Sequence, residues 1–246
     1  MESLQTRLKR ATTAAHSRLE TTPFTLALRA GQLPRESAVT YLTCLSIVHA
    51  AIERSLAQSS HPQNQEIYSH TSPKLPLLLA DLALIAGEKV KTVGPAVAQA
   101  IALADKVIIA HQNDVGLIGY LYVLEGSQNG GVVLRDLVAH SLGVPADRIS
   151  YFGCYGGRTR YIWSNFVNKL NSLSLNDKEF QIIEGSATLA FTDLEKIQLS
   201  LLPFSEQSLR HNVTSINPEA GSHEIPDDPL QIDVALRAGA LPISLP

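Results

Sequence analysis

The stretch that decides the fold is Gly116 to Leu142, which reads GLIGYLYVLEGSQNGGVVLRDLVAHSL. Its apolar residues recur at helical spacing and it contains no proline, so the pattern predicts a long core helix. Four glycines nevertheless lie inside it, namely Gly119, Gly126, Gly130 and Gly131. Each glycine in a helix interior costs about 1 kcal/mol relative to alanine, so something must compensate for them.

Two structures account for these glycines. In the first, two helices meet at a turn over residues 126–131. In the second, one bent helix brings its backbone close to a neighbour or lies flat against a large planar group. The second structure gives the glycines a functional reason, and we use it as the working hypothesis.

The composition is that of a globular protein. The chain has 246 residues, of which 45% are hydrophobic and 17% charged, enough for one large domain with a full core. A formal charge of −3 offers no basic surface for nucleic acid. The sequence has no apolar run long enough for a membrane and no signal-peptide core, so we expect a cytoplasmic protein with no membrane partner. Cys44 and Cys154 are predicted to be small core residues, as expected for a protein in a reducing compartment.

The rest of the chain predicts helices. Apolar residues keep a helical period and no alternating strand pattern appears, so the fold class is all-α. The predicted helices cover 4–20, a segment beginning at Pro23, 34–58, 73–86, 95–110, about 158–173 and 176–202, and the polar run 59–72 is predicted as a loop. We expect one helical domain over 1–204 and an irregular C-terminal extension over 205–246, where prolines interrupt a polar tail.

One face of the first helix carries groups suited to metal binding. His16 lies at the edge of its apolar stripe, Lys9 lies two turns earlier, and Glu20 lies one turn later. Glu20 can accept the Nδ1 proton of His16 and leave Nε2 free for a metal. Lys9 offers a cation where the edge of a flat macrocycle bound at His16 would lie.

Three segments carry a resemblance to a known family. LKRATTAAHSRLE (Leu8 to Glu20) resembles the proximal helix of haem oxygenases, and GYLYVLEGSQNGGVVL (Gly119 to Leu134) resembles their distal helix, especially that of the bacterial biliverdin-forming type. YGGRTRYIWSNFVNKLN (Tyr155 to Asn171) is similar to the segment with propionate-facing cations. The resemblance spans about residues 4 to 202.

The resemblance implies a single-domain multi-helix bundle that holds haem between the N-terminal proximal helix and a kinked, glycine-rich distal helix. It implies that His16 is the axial ligand of the iron, that Glu20 supports His16, and that Lys9 meets a haem propionate. On the distal side, Gly126 and Gly130 would pack their backbone against the haem, with Gly131 beside them.

Further contacts with haem follow from the same resemblance. Arg158, Arg160 and Lys169 are candidates for the second propionate, and the spacing does not choose among them. Tyr120 and Tyr122 are expected to line the pocket.

The distal segment departs from the family at three positions. Many members have an aspartate directly after the first distal glycine, where it orders water near bound oxygen, and this chain has Ser127. Bacterial members often have small or apolar residues where Gln128 and Asn129 stand. A hydroxyl both donates and accepts, so Ser127 can still hold a water. We therefore expect Gly126, Ser127 and Gly130 to form the catalytic distal face.

The expected reaction is that of a haem oxygenase. Haem would be both substrate and cofactor, and O2 with external electrons would open it to biliverdin, CO and Fe²⁺. The expected partners are an electron donor such as a ferredoxin or a reductase, and a bilin-accepting protein.

Two other functions stay open at the level of sequence. The first is a non-haem di-iron oxidase, for which His49 with Glu53, His111 with Asp114, and Glu125 have suitable ligand types. The second is a haem-binding or bilin-binding protein without turnover, which the distal substitutions at residues 127–129 would suit.

Overall fold

The computed structural model describes residues 2–85, 94–110 and 114–201. Within these ranges the chain is all-α, as the sequence predicts. The ten α-helices are α1 (Leu4–Glu20), α2 (Pro23–Arg29), α3 (Arg35–Gln58), α4 (Pro62–Tyr68), α5 (Leu75–Ile85), α6 (Pro95–Ala110), α7 (Gly116–Ser127), α8 (Gly131–Leu142), α9 (Thr159–Asn171) and α10 (Asp177–Leu199).

The helix boundaries follow local chemistry. Ser3 caps α1, because its hydroxyl accepts a hydrogen bond from the backbone N–H of Thr6 at 3.2 Å. Asn176 and Glu179 form the capping box that their spacing suggests at the start of α10, since each side chain accepts from the other residue's backbone N–H.

The first and last of these helices run side by side in the same direction. Three pairs join them at a constant separation of 177 residues: Arg7 with Glu184, Ala11 with Thr188, and Arg18 with Glu195. The buried residues Leu4, Leu8, Thr12 and Ala15 form the core-facing stripe of α1. Helix α1, which is predicted to carry the proximal histidine, is therefore held in place by α10.

The glycine-rich stretch is one bent helical segment. A 3₁₀ turn, Gln128–Gly130, joins α7 directly to α8, and the backbone stays helical through Ser127 (φ −62°), Gln128 (φ −72°) and Gly131 (φ −60°). Gly143 ends α8 with φ +68°, a left-handed conformation that glycine adopts without strain. The predicted bent helix is confirmed, whereas the planar group beside it stays a prediction.

Two neighbours position this bent segment. The α7 half packs against α10, which itself packs against α1. Helix α9 reaches both α1 and the 3₁₀ turn, with Asn171 accepting a hydrogen bond from the backbone N–H of Gln5 at 3.0 Å near its C-terminal end. Helix α9 is thus a common neighbour of α1 and of the 3₁₀ turn.

The structure corrects one predicted loop. Residues 62–68 of the polar run form α4, which begins at Pro62, a residue suited to a first helical turn, and buries Ile67 in the core. In the described part of the chain, no helix has the length and apolar character needed to cross a bilayer. The predicted C-terminal extension, 205–246, lies outside the described residues.

Candidate haem site

His16 lies near the C-terminal end of α1 with a partly open side chain. The imidazole is 36% exposed, and it makes a T-shaped contact with the ring of Phe191 on α10, with the centroids 5.2 Å apart. Nδ1 lies 3.8 Å from Oε2 of Glu20, which is an ion-pair distance and longer than a hydrogen bond. Within the described residues, Nε2 makes no hydrogen bond to protein, so it is available to a ligand.

Glu20 is held by a residue that sequence reasoning missed. Nη2 of Arg29, on α2, donates to Oε1 of Glu20 at 3.3 Å. Arg29 therefore holds the carboxylate through Oε1, while Oε2 is the oxygen that lies near His16. An arginine nine residues downstream, beyond a helix boundary, gives no periodic signal that could have identified it.

The glycines divide into two pairs by what a side chain at each would meet. A Cβ placed on Gly130 would have no atom within 4 Å, and one on Gly126 would meet only the Trp163 ring, at 3.5 Å from Cη2. Both positions therefore have room on the side where a side chain would grow. This is the arrangement expected where backbone approaches a ligand.

Gly119 and Gly131 have a different explanation. A Cβ on Gly119 would lie 2.5 Å from the carbonyl oxygen of Ile183 and 2.6 Å from the amide nitrogen of Ala187, both on α10. A Cβ on Gly131 would lie 2.6 Å from the amide nitrogen of Gly153. These two glycines permit close packing within the protein, so the predicted haem contact of Gly131 is not needed to explain its lack of a side chain.

The three distal substitutions adopt different environments. Ser127 is exposed, and its hydroxyl donates to the carbonyl oxygen of Leu124 at 2.7 Å. Gln128 is 2% exposed and accepts from Sγ of Cys154 at 3.5 Å, while its Nε2 has no partner in the described residues. Asn129 donates to the carbonyl oxygen of Gly126 at 3.1 Å. Of these three residues, Ser127 is the most exposed.

The two predicted pocket tyrosines are buried. Burial, with a smaller effect of the Asp193 charge, raises the pKa of Tyr120 to about 12, and burial raises the pKa of Tyr122 to about 12. The Tyr122 ring contacts the Trp163 ring at a centroid distance of 5.7 Å. Tyr122 therefore belongs to the aromatic group beside Gly126, whereas Tyr120 is influenced by α10.

The candidate propionate-binding cations differ in availability. Nζ of Lys169 forms an ion pair with Glu66 of α4. Arg158 and Arg160 are exposed at the beginning of α9, and Lys9 is half-buried on α1. Among the described residues, none of these last three has an ion-pair partner, so they are better placed than Lys169 to meet an anionic group.

Behind the distal turn lies a buried polar group that sequence reasoning did not assemble. Nε2 of His49 lies 2.9 Å from the Tyr151 hydroxyl, and Nδ1 lies 2.9 Å from Oε1 of Glu53. Beside them, Lys74 forms a buried ion pair with Glu125. The His49–Glu53 spacing of four residues was visible in the sequence, but Tyr151 is a hundred residues away.

These contacts remove the basis for a di-iron site. His49, Glu53 and Glu125 are satisfied by protein partners, and His111 lies outside the described residues. In the ranges that the structure describes, no group of three or more His, Cys, Asp or Glu residues is placed to hold a metal.

The fold is an all-α bundle. Its candidate site combines a histidine that is available to a ligand with a bent glycine-rich helix, and α9 contacts both α1 and the 3₁₀ turn. The family model described as "Heme oxygenase" matches residues 2–198. The chain therefore belongs to the haem oxygenase family, whose members are haem-degrading oxidoreductases, and the predicted function is confirmed over both alternatives.

Relatives agree with this assignment. A curated heme oxygenase from Porphyra purpurea is 23% identical over 197 residues, covering 78% of this chain and 84% of that protein. The structure of heme oxygenase-1 from the cyanobacterium Synechocystis, in complex with heme, is 19% identical, with a TM-score of 0.73 over 87% of this chain and 98% of that one. The heme oxygenase of Leptospira interrogans is 21% identical, with a TM-score of 0.66 over 80% of this chain and 99% of that one. The structural matches establish the shared fold.

Proposed function

We propose that haem binds between α1 and the 3₁₀ turn, with Nε2 of His16 as the protein ligand to iron. The observation that supports this assignment is the environment of the His16 imidazole. Its imidazole is partly exposed, Nδ1 faces the carboxylate of Glu20, and Nε2 has no protein partner in the described residues. Imidazole nitrogens that bind metals commonly have this arrangement, with a carboxylate near the second nitrogen.

The glycines at the 3₁₀ turn leave space that suits a planar group. Gly130 leaves open space where a side chain would stand, and Gly126 leaves room up to the face of Trp163. Backbone can therefore approach a flat macrocycle on this side without a side chain between them. Lys9, Arg158 and Arg160 are the cations that we assign to the propionates, while Lys169 is already paired with Glu66.

Haem, when bound, supplies the iron at which O2 is activated, and its ring is the substrate that is opened to biliverdin with release of CO and Fe²⁺. The residues of this chain orient the haem and hold the water that can supply protons. A neutral His16 is a weaker electron donor to iron than a thiolate. Ser127 can donate or accept a hydrogen bond at the distal face, which allows it to hold a water there. Cations on the propionates fix the rotation of the ring in its own plane, and thus the carbon that is attacked.

Electrons must come from outside this chain, and we assign them to a ferredoxin or a reductase. A bilin-accepting protein is the partner expected for the product. Both cysteines are free thiols, and burial raises the pKa of Cys44 to about 12. Unreactive free thiols suit the reducing cytoplasm, where we place the protein.

The test is reconstitution of purified protein with haem, followed by addition of ascorbate or a ferredoxin system. We expect a histidine-ligated Soret band that decays as biliverdin absorption grows. His16→Ala should lose that ligation and weaken haem binding by more than the ~10- to 100-fold typical of losing a partner around a metal ligand.

His70→Ala is the matched control, since His70 is exposed and hydrogen-bonds only to its own segment. It should keep the wild-type spectrum. If His16→Ala keeps the wild-type spectrum as well, the ligand is another residue and the site assignment is wrong.

A further inference from the structure

Glu125 is a buried carboxylate at the distal turn with a partner on each oxygen. It is 6% exposed and directly precedes Gly126. Oε1 forms an ion pair with Nζ of Lys74, and Oε2 accepts a hydrogen bond from the Tyr155 hydroxyl at 2.8 Å. The same Nζ lies 4.9 Å from the centroid of the Tyr155 ring, a cation–π distance. Each of the three side chains thus contacts the other two, and we call this group the Glu125 brace.

The brace has a fixed anchor in Lys74. This residue directly precedes α5, and its Nζ also donates to the carbonyl oxygen of Ser72 at 2.7 Å. Its backbone N–H donates to Oε1 of Glu53 on α3 at 2.7 Å. Lys74 is therefore held in place independently of Glu125.

The third member of the brace, Tyr155, leads to residues that we assign to haem. It directly precedes a short helical turn that ends at Arg158, whose backbone N–H donates to the Tyr155 carbonyl oxygen at 3.0 Å. Helix α9 begins at the next residue and brings the Trp163 ring to 3.5 Å from the position of a Cβ on Gly126. Glu125 therefore connects the backbone of the distal turn with the beginning of α9.

Stability alone does not account for a buried ion pair at this place. Replacing such a pair with apolar residues of similar size is often neutral or stabilising. Apolar contacts have no preferred direction, whereas hydrogen bonds to a carboxylate fix both distance and angle. The brace therefore holds the distal turn in one arrangement relative to α9.

Resting on the function proposed above, the geometry points to Glu125 as a positioning residue that sets the spacing between the Gly126 backbone and the beginning of α9. Glu125 acts through its neighbours. Gly126 follows it in the chain, and Arg158, which we assign to a propionate, follows its partner Tyr155. The hydrogen bond between Tyr155 and Glu125 therefore fixes the rotation of the haem ring relative to the distal backbone, and with it the carbon that is attacked.

Tryptophan fluorescence of the haem-free protein tests the brace without turnover. Trp163 is the only tryptophan of the chain, and it lies beside Gly126. Tyr155→Phe removes the hydroxyl that donates to Glu125, so it should shift the Trp163 emission maximum and change the quenching of that emission by acrylamide. Tyr161→Phe is the matched control, because it removes a phenol that is 68% exposed and two residues from Trp163. It should leave the emission and its quenching unchanged.

The isomers of biliverdin test the positioning role in the haem-loaded protein. Tyr155→Phe should keep the histidine-ligated Soret band of the wild type. It should change the ratio of the biliverdin isomers by up to ~10-fold, because losing a hydrogen bond to a charged group shifts a two-state equilibrium by about that factor. Tyr161→Phe should keep the wild-type ratio.

Two double variants separate the hydrogen bond from the ion pair. Lys74→Met with Glu125→Gln removes both charges and keeps an amide oxygen that can accept from Tyr155, so it should keep the wild-type isomer ratio. Lys74→Met with Glu125→Met removes the charges and the acceptor, so it should change the ratio as Tyr155→Phe does. Neither variant leaves an unpaired buried charge, so both should fold.

An unchanged isomer ratio in Tyr155→Phe would overturn the positioning role even if the fluorescence of that variant changes. A wild-type ratio in the Glu125→Met double variant would overturn it as well, since a brace that serves stability alone needs no hydrogen bond to Tyr155. A wild type that degrades no haem would instead contradict the proposed function. In that case, unchanged Trp163 fluorescence in Tyr155→Phe would still overturn the brace.

Discussion

Gly119→Ala separates a packing glycine from a ligand-facing one. Because its Cβ would lie 2.5 Å from the Ile183 carbonyl oxygen and 2.6 Å from the Ala187 amide nitrogen, backbone must move to make room. Overpacking of this kind costs about 1–3 kcal/mol, and the rigid backbone on α10 favours the upper end. Replacing glycine by alanine in a helix interior stabilises the helix by about 1 kcal/mol. The expected net loss is therefore about 2 kcal/mol.

The assay is unfolding of the haem-free protein by heat and by urea. For a domain of this size, a loss of about 2 kcal/mol lowers Tm by roughly 4–8 °C. Gly130→Ala is the control, since its Cβ would have no neighbour within 4 Å, and it should keep or raise Tm. Adding Ser186→Ala to Gly119→Ala removes the nearest side-chain oxygen and should recover only part of the loss, because the two backbone contacts remain. A Gly119→Ala protein as stable as the wild type would refute the packing explanation.

Gly130→Leu should fold with its haem-free stability kept or raised, because leucine is the better helix former, yet fail to convert haem to biliverdin because the side chain enters the open space; normal turnover would show that Gly130 does not face haem. Glu53→Gln should change how the free energy of unfolding depends on pH. Burial acts to raise the pKa of Glu53, but hydrogen bonds from His49 and from the backbone N–H groups of Lys74 and Leu75 outweigh it and lower the pKa. A carboxylate whose pKa is lowered by folding stabilises the folded state at pH values above its pKa in the unfolded chain. That stabilisation is lost as the pH falls through its pKa in the folded state. The stability difference between wild type and Glu53→Gln should thus shrink as urea unfolding is followed from about pH 5 to about pH 3, and a constant difference would contradict it.

The helices were predictable because each has a clear period and a local boundary signal. The prediction of 4–20 for α1 and 95–110 for α6 agrees with the structure, and Gly31 ends the α2 region with φ +65° as a left-handed glycine. The short helix α4 was missed because its polar sequence buries little and gives no amphipathic stripe.

The side-chain contacts of the candidate site could be predicted only where the residues share a helix. His16 and Glu20 lie one turn apart, and the distal glycines lie within one segment, so both could be recognised from spacing. Tyr151 could not, because its hydrogen bond to His49 joins positions 102 residues apart. Spacing also could not tell whether the His49–Glu53 pair binds a metal or a tyrosine, since both uses place the two residues on the same helical face.

The parallel pairing of α1 with α10 also bears on how the domain is made. A ribosome releases α1 first, but the partners of Arg7, Ala11 and Arg18 are synthesised 177 residues later. Contacts so distant in sequence carry a large loop-closure cost and form late in folding. Until α10 emerges, the apolar stripe of α1 has no surface to cover it, and the Phe191 ring that flanks His16 does not yet exist. The nascent chain therefore completes the surroundings of His16, the candidate ligand, only after α10 has been synthesised.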